Sequence, residues 1–330
     1  MVNGMATLEP QTAVSRTAAP IRFTQPGGGF CMGLELAWGR IRRGLLRCLR
    51  PGYVQRMAAL RLGDCPNCPH DIVDPRDLKY LRNVCGYYFR SEDDPFQWRE
   101  ELGFARPGLA EVVLFSLLFL GISLLGIIAA GFIHWAFWLL VVIGLVGWGF
   151  VLYFFRDPER DIPADPRALV SPADGRVTDV GEVDEPDFPG GRAFRIGIFL
   201  SIFSVHVNRI PRTGQVVGLR YYPGSFVDAR RQDSSSRNEQ FWIDLEESHG
   251  RGDGPPRRVR VKQIAGAVAR RIVCWLKPGE EVWAGAKLGM IKFGSRTEVY
   301  IPAGEQFEVL VGVGDVVKGG STVLLRFPAG

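Results

Sequence analysis

Between Val112 and Phe155 the chain runs without a single Asp, Glu, Lys or Arg. One membrane helix takes about 20 apolar residues, so this run predicts two. Gly131-Phe132-Ile133-His134-Trp135 lies at its middle, where a turn makes a helical hairpin and His134 an interfacial turn residue rather than a ligand. A pair of buried core helices is the alternative, but no charge interrupts the run. Downstream of Asp157 the texture changes to short apolar runs punctuated by Gly, Pro and Asp. Phe194 to Phe203 predicts a strand with His206 at its end, and Asp228 to Arg260 predicts loops around a short strand at Phe241 to Leu245. Helical periodicity is scarce there, so the second half is expected to be mainly β.

A repeat within that half sharpens the expectation. Gly279-Glu280, Val282, Gly285 and Leu288 recur at the same offsets as Gly314-Asp315, Val317, Gly320 and Val323. Two equivalent hairpins in a sandwich or barrel follow, a pattern shared with lipoyl-like β domains, although no lysine stands at the exposed turn such carriers modify.

Charge places these parts. Arg99 and Arg106 precede the apolar run and Arg156 and Arg160 follow it, so the positive-inside rule puts both flanks in the cytoplasm, on a cell membrane. Arg40 to Gly63 carries seven arginines and no acid, interleaved with Ile41, Leu45, Leu46, Leu49, Val54, Met57 and Leu60. This basic amphipathic stretch suits anionic lipid headgroups; packing on the protein itself is the plainer alternative, and no nucleic-acid recognition motif accompanies it. The resulting division is a mobile tail at 1–29, a basic cytosolic extension at 30–109, a membrane hairpin at 110–155 and a catalytic domain at 156–330.

Composition adds little more. Hydrophobic residues make up 46% of 330 and charged residues 23%, the mix expected of an apolar block beside soluble sequence. Met1 onward lacks the basic-then-apolar pattern of a cleavable signal. Six cysteines are too scattered for a disulfide framework. Cys65, Cys68, Cys85 and His70 could supply four zinc ligands. They do not form two clean CxxC pairs, however, and no metal is assigned to the functional site.

Candidate chemistry lies in three separated segments. Gly294-Ser295 falls between two strand-like runs, His206 lies in Ser204-Val205-His206-Val207-Asn208-Arg209, and Asp174 lies in Ser171-Pro172-Ala173-Asp174-Gly175. Ser, His and Asp from separate turns can act as nucleophile, base and orienter. His249, the other histidine of this half, lies in a polar loop.

These segments resemble, in order, those of the phosphatidylserine decarboxylases, most closely their short archaeal-type branch. The matching stretches are Phe155 to Arg160, Ser171 to Gly175, Phe203 to Arg209, Asn238-Glu239, Gln263 to Ile272 and Leu288 to Arg296. The resemblance implies self-cleavage between Gly294 and Ser295, with His206 as base and Asp174 orienting it. Ser295 would become a covalent pyruvoyl cofactor, the electron sink for converting phosphatidylserine to phosphatidylethanolamine and CO2. Two non-covalently paired chains would result. His206, whose ordinary pKa suits proton transfer at neutral pH, is the candidate to protonate the carbanion. Arg296 beside the cut is the expected substrate contact, with Arg270 and Arg271 as weaker ones. Longer members often carry a second histidine where Arg209 stands, and many cut at Gly-Ser-Thr, which recurs here at Gly320-Ser321-Thr322. The repeat aligns Gly320-Ser321 with Gly285-Ala286, which makes it a structural turn. The rival functions are a pyruvoyl decarboxylase of a soluble amino acid and a non-catalytic membrane scaffold.

Overall fold

The computed structural model describes residues 17–66, 68, 71–231, 233–247, 256–267, 271–292 and 294–328. His70, His249 and Arg270 lie outside them. Helices come first. α1 (Phe30–Leu49), α2 (Pro51–Leu60) and the single turn α3 (Pro75–Leu78) build the extension. α4 (Leu109–Phe132) and α5 (Trp138–Phe154) follow, reversing through Ile133 to Phe137. Both are long and apolar enough to cross a membrane, and most of their surface is exposed. They meet where Gly144 lies against the Phe119 carbonyl and Ser123, a contact too close for any side chain. Trp148 also donates to Ser116 Oγ across the pair at 3.1 Å.

The rest is mainly β, in antiparallel strands. In chain order these are β1 (Ala168–Val170), β2 (Gly175–Asp184), β3 (Arg192–Leu200), β4 (Val207–Arg209) and β5 (Gly214–Tyr222). After the short helix α6 (Ser234–Arg237) come β6 (Gln240–Glu246), β7 (Arg258–Ile264), β8 (Arg271–Cys274), β9 (Glu281–Val282) and β10 (Lys287–Lys292). The last are β11 (Ser295–Pro302), β12 (Glu308–Val309), β13 (Val316–Val317) and β14 (Val323–Arg326). An eight-stranded sheet in the order β13-β2-β3-β11-β7-β6-β5-β9 curls into a half-barrel, with β4-β10-β8 and β1-β14-β12 as smaller sheets. Ile196, Ile198, Leu200, Val177, Ile243 and Val261 supply its buried interior. Both halves of the sequence repeat become a two-residue strand, a turn and a longer strand; Gly285 and Gly320 share φ of +78°, and Gly320 packs on the Gly285 backbone.

Three expectations need correction. Residues 17–29 are not a free tail: Ala19 N–H bonds the Tyr221 carbonyl, the Thr24 carbonyl accepts from Cys274 N–H, and Thr24 and Gln25 are buried. The arginines of the extension are partly spent internally, since Arg42 and Arg43 reach Asp74 and Asp77 while Arg47 reaches Asp71. His206 does not end the strong strand. β3 stops at Leu200, where Ser201 and Ser204 bond each other's hydroxyls across a turn, and His206 stands just before β4 in a different sheet.

Candidate active site

Strand β11 passes through the middle of the large sheet, between β3 and β7, and opens at Ser295 opposite Leu200. Ser295 is fully buried, and among the described residues its Oγ has no hydrogen-bond partner. A buried hydroxyl left unpaired costs about 1–3 kcal/mol, which the surrounding packing has to hold. Gly294 before it has φ of +66°, a left-handed conformation that a β-carbon resists. The next loop presses on the same peptide, because a β-carbon on Gly266 would meet the Gly294 carbonyl oxygen at 2.3 Å. Asn238 and Glu239 hold that loop: Asn238 Nδ2 donates to the Ala265 carbonyl at 2.7 Å, and Ala265 N–H donates to the Glu239 carbonyl at 2.9 Å.

His206 reaches the Gly294 backbone from the adjoining sheet. Gly294 N–H donates to its Nε2 at 3.2 Å, and its Nδ1 donates to the Ser204 carbonyl at 2.8 Å. This pair of bonds specifies a neutral ring with its proton on Nδ1 and a lone pair toward Gly294. Burial pushes the imidazole pKa down to about 4; the Ser204 carbonyl opposes the shift and the Arg156 guanidinium adds to it. The phenyl ring of Phe154, last residue of α5, lies 4.3 Å from the imidazole, centroid to centroid. In the uncut chain His206 is therefore neutral near pH 7, with Nε2 as the acceptor.

The structure brings Gly294, Ser295 and His206 together but sends the other candidates elsewhere. Asp174 accepts from Gly319 N–H at 2.8 Å and pairs with Arg160 at 2.9 Å, and the Ser204 carbonyl holds the place at His206 Nδ1 that Asp174 was expected to fill. Arg296 is buried in a network with Glu298, Asp179 and Thr178. The reason is strand alternation: Ser295 and Thr297 face one side of β11, Arg296 and Glu298 the other. Burial raises the Glu298 carboxyl, but Arg296 and Arg195 outweigh it and hold the pKa at about 2. Arg209 binds Asp157 and the carbonyls of Gly285 and Pro158. Arg271 lies 3.7 Å from Glu111, at the start of α4.

Other residues escaped the sequence reading. Asn208 is fully buried under β11, donating to Thr297 Oγ1 at 3.1 Å and accepting from Gln263 at 2.8 Å. Lys292, two residues before Gly294, is buried against Glu111. Ser204 lies in the matching His206 segment but acts through its backbone, which side-chain chemistry does not single out, and Phe154 is an ordinary helix residue just ahead of the matching stretches. A cavity of about 780 Å³ lies between the extension, the foot of the hairpin and β10. Lys79, Glu111, Lys287 and Lys292 line it, but His206 and Ser295 do not, so the reacting residues are closed off from it.

The ends of this site stay close to the hairpin. Ile202 and Phe203, at the tip of the β3–β4 turn, are exposed, and the Phe203 carbonyl accepts from Arg156 at 2.9 Å. A β-carbon on Gly294 would meet the Ile202 side chain at 3.9 Å.

Comparison with known proteins bears on this arrangement. A family model described as phosphatidylserine decarboxylase matches residues 149–325, which take in every residue of the cluster. Proteins named phosphatidylserine decarboxylase proenzyme are similar to this chain in several bacteria. That of Rhodopirellula baltica is 44% identical over 253 residues, covering 77% of this chain and all of the relative. That of Symbiobacterium thermophilum is 46% identical over 201 residues, 61% of this chain and 88% of the relative. That of Carboxydothermus hydrogenoformans is 48% identical over 190 residues, 58% and 85% respectively. The chain thus belongs to the phosphatidylserine decarboxylase family.

Proposed function

We propose that this chain is a proenzyme that cuts itself between Gly294 and Ser295 and then decarboxylates phosphatidylserine to phosphatidylethanolamine and CO2. The observation that carries this reading is the unpaired, buried Ser295 Oγ beside the left-handed Gly294, with a neutral His206 nitrogen facing the same peptide. In the cut, Ser295 Oγ adds to the Gly294 carbonyl carbon and passes its proton to His206 Nε2. The carbon–nitrogen bond then breaks, the Ser295 nitrogen is protonated, and an ester joins the two parts. Elimination of the Ser295 α-proton and the Gly294 carboxylate, followed by hydrolysis that expels ammonia, leaves a pyruvoyl group at position 295.

The residues present fit that group, because it forms from Ser295 itself and needs no separate cradle. Its carbonyl supplies the electron sink for loss of CO2. The chain's own contribution is positioning: His206 is held by Ser204, the Gly294 side is held by Gly266, and the sheet excludes water from position 295. A role for Asp174 is proposed at the Arg160 and Gly319 junction, where it ties the segment after the hairpin to the C-terminal repeat. The two repeat halves are read as lipoyl-like hairpins of architectural purpose.

The lipid substrate is favoured over a soluble amino acid by the exposed Ile202 and Phe203 beside the site, next to the end of an apolar helix. We place α4 and α5 across the cell membrane with the β domain and the extension on its cytoplasmic side. α1 adds a second contact. Phe30, Leu34, Trp38, Ile41, Leu45 and Leu49 are exposed at spacings of three and four, the stripe of a helix lying in the lipid interface.

Intact-mass analysis of the purified protein tests the cut. A fragment of residues 295–330 with a blocked amino terminus is expected; an active chain that stays whole overturns the reading. Ser295→Ala is expected to abolish both cutting and activity and Ser321→Ala to leave both. Conversion of labelled phosphatidylserine, with free serine untouched, separates the lipid from the soluble substrate.

A further inference from the structure

Three cysteines of the extension, Cys65, Cys68 and Cys85, have no part in that chemistry, yet the fold gathers them. Cys65 and Cys68 close one turn, with Cys68 N–H donating to the Cys65 carbonyl. The structure joins their sulfurs in a disulfide, and Cys85 Sγ stands 3.0 Å from Cys68 Sγ. Sequence spacing offers Cys85 beside Cys65 and Cys68 only as a possible zinc ligand; backbone contacts bring the three together. Leu62 and Tyr88 exchange both of their backbone bonds, at 2.9 and 3.0 Å. Beside that bridge, a β-carbon on Gly63 would meet the Gly86 carbonyl at 2.2 Å, and one on Gly86 would meet the Asp64 carbonyl at 1.7 Å. Two glycines thus let the strands cross main chain to main chain, and the crossing delivers Cys85 to the Cys65–Cys68 turn.

We propose that Cys65, Cys68 and Cys85, as thiolates, hold a structural Zn2+ ion that pins this crossing. All three sulfurs lie within 4.8 Å of one another. A tetrahedral ion with Zn–S bonds of about 2.3 Å sets its sulfurs about 3.8 Å apart, so small side-chain movements suffice. A disulfide between Cys65 and Cys68 leaves Cys85 outside the bond although its sulfur stands against Cys68, whereas an ion takes all three. Three thiolates around a divalent ion leave a net charge of −1.

The surroundings call for such a staple. Among the described residues the local core is Ile72, Leu81 and Cys85, with Phe23, Cys65, Cys68, Leu78, Tyr87 and Phe89 partly buried around it. So small an apolar cluster holds a fold weakly, and a structural metal is one of the common remedies. Binding is not a redox step: each thiol gives up a proton and the ion takes the lone pairs. The disulfide form must first accept two electrons, as from a low-molecular-weight thiol, to enter the site.

The test uses the full chain, purified in detergent with a thiol reductant and without added metal. Elemental analysis is expected to find one zinc per chain. Replacement by Co2+ is expected to give sulfur-to-cobalt charge-transfer absorption and the visible bands of a tetrahedral site. Cys85→Ser should lose the metal, and the same loss in Cys68→Ser guards against a local effect of one substitution. The wild-type chain decides the matter even if the variants misfold. A metal-free wild-type protein overturns the proposal, whether its mass shows the Cys65–Cys68 disulfide or three free thiols. So does zinc that survives both substitutions.

Discussion

His206 is where one residue's environment decides what it can do. Its burial favours the neutral ring, and the Ser204 carbonyl fixes which nitrogen carries the proton. A group held at about 4 instead of 6.5 remains a base well below neutrality. Self-cleavage is therefore expected to keep its rate as pH falls from neutrality and to fail only near pH about 4, read by fragment formation at fixed times. Stability carries the same signature with a defined sign. Between pH 6.5 and about 4 the unfolded chain binds a proton that the folded His206 refuses, so stability drops across that window. On the uncut Ser295→Ala chain, His206→Gln is expected to remove this slope from the pH dependence of the melting temperature.

At the scale of elements, the hairpin is more than an anchor. The end of α5 packs Phe154 on His206, while the start of α4 lends Glu111 to Lys292 on the strand that leads into the cut. Both ends of the hairpin therefore touch the segment that positions the reacting peptide. Phe154→Ala takes away the ring that keeps water from the imidazole. The His206 pKa is expected to climb from about 4 toward 6.5, and the lower limit of the cutting profile to move up with it. A Phe154→Leu variant, which still covers the ring, should move the profile less.

The whole molecule joins a helical hairpin to a β domain through a shared buried cluster that includes Val112, Val151, Phe154, Val205, Val207 and Met290, and the fate proposed for the cut chain follows from the sheet. Residues 295–302 form β11, hydrogen-bonded to β3 on one side and β7 on the other. A fragment whose first strand lies inside a sheet has no exposed edge to peel from. The C-terminal fragment is expected to co-purify with the larger chain in mild detergent and to separate only in denaturant. Across the lipid surface, α1 offers its exposed stripe beside arginines 40, 47 and 50. A nitroxide at Leu45 should show more contact with oxygen dissolved in lipid than one at Gly44; equal accessibility would take α1 off the membrane.

Much of this protein was legible along the chain because it depends on local pattern. The uninterrupted apolar run specified two helices, the alternation of short runs specified strands, and the offsets of Gly279 and Gly314 specified two hairpins of one shape. The ordered motifs singled out Ser295 and His206, which the fold brings to one peptide. What lay beyond reach depends on which surfaces meet. Arg296 neighbours Ser295 in sequence, yet strand alternation turns it to the opposite face. Asp174 matches its motif, yet the fold gives it to Arg160 and lets a backbone carbonyl at Ser204 hold the imidazole. Cys85 could be named as a possible ligand beside Cys65 and Cys68, but only the close approach at Gly63 and Gly86 brings its sulfur to theirs. Local pattern reports how a side chain relates to its own element; only the assembled tertiary structure sets the distances between elements, and orientation, burial and pKa follow from those.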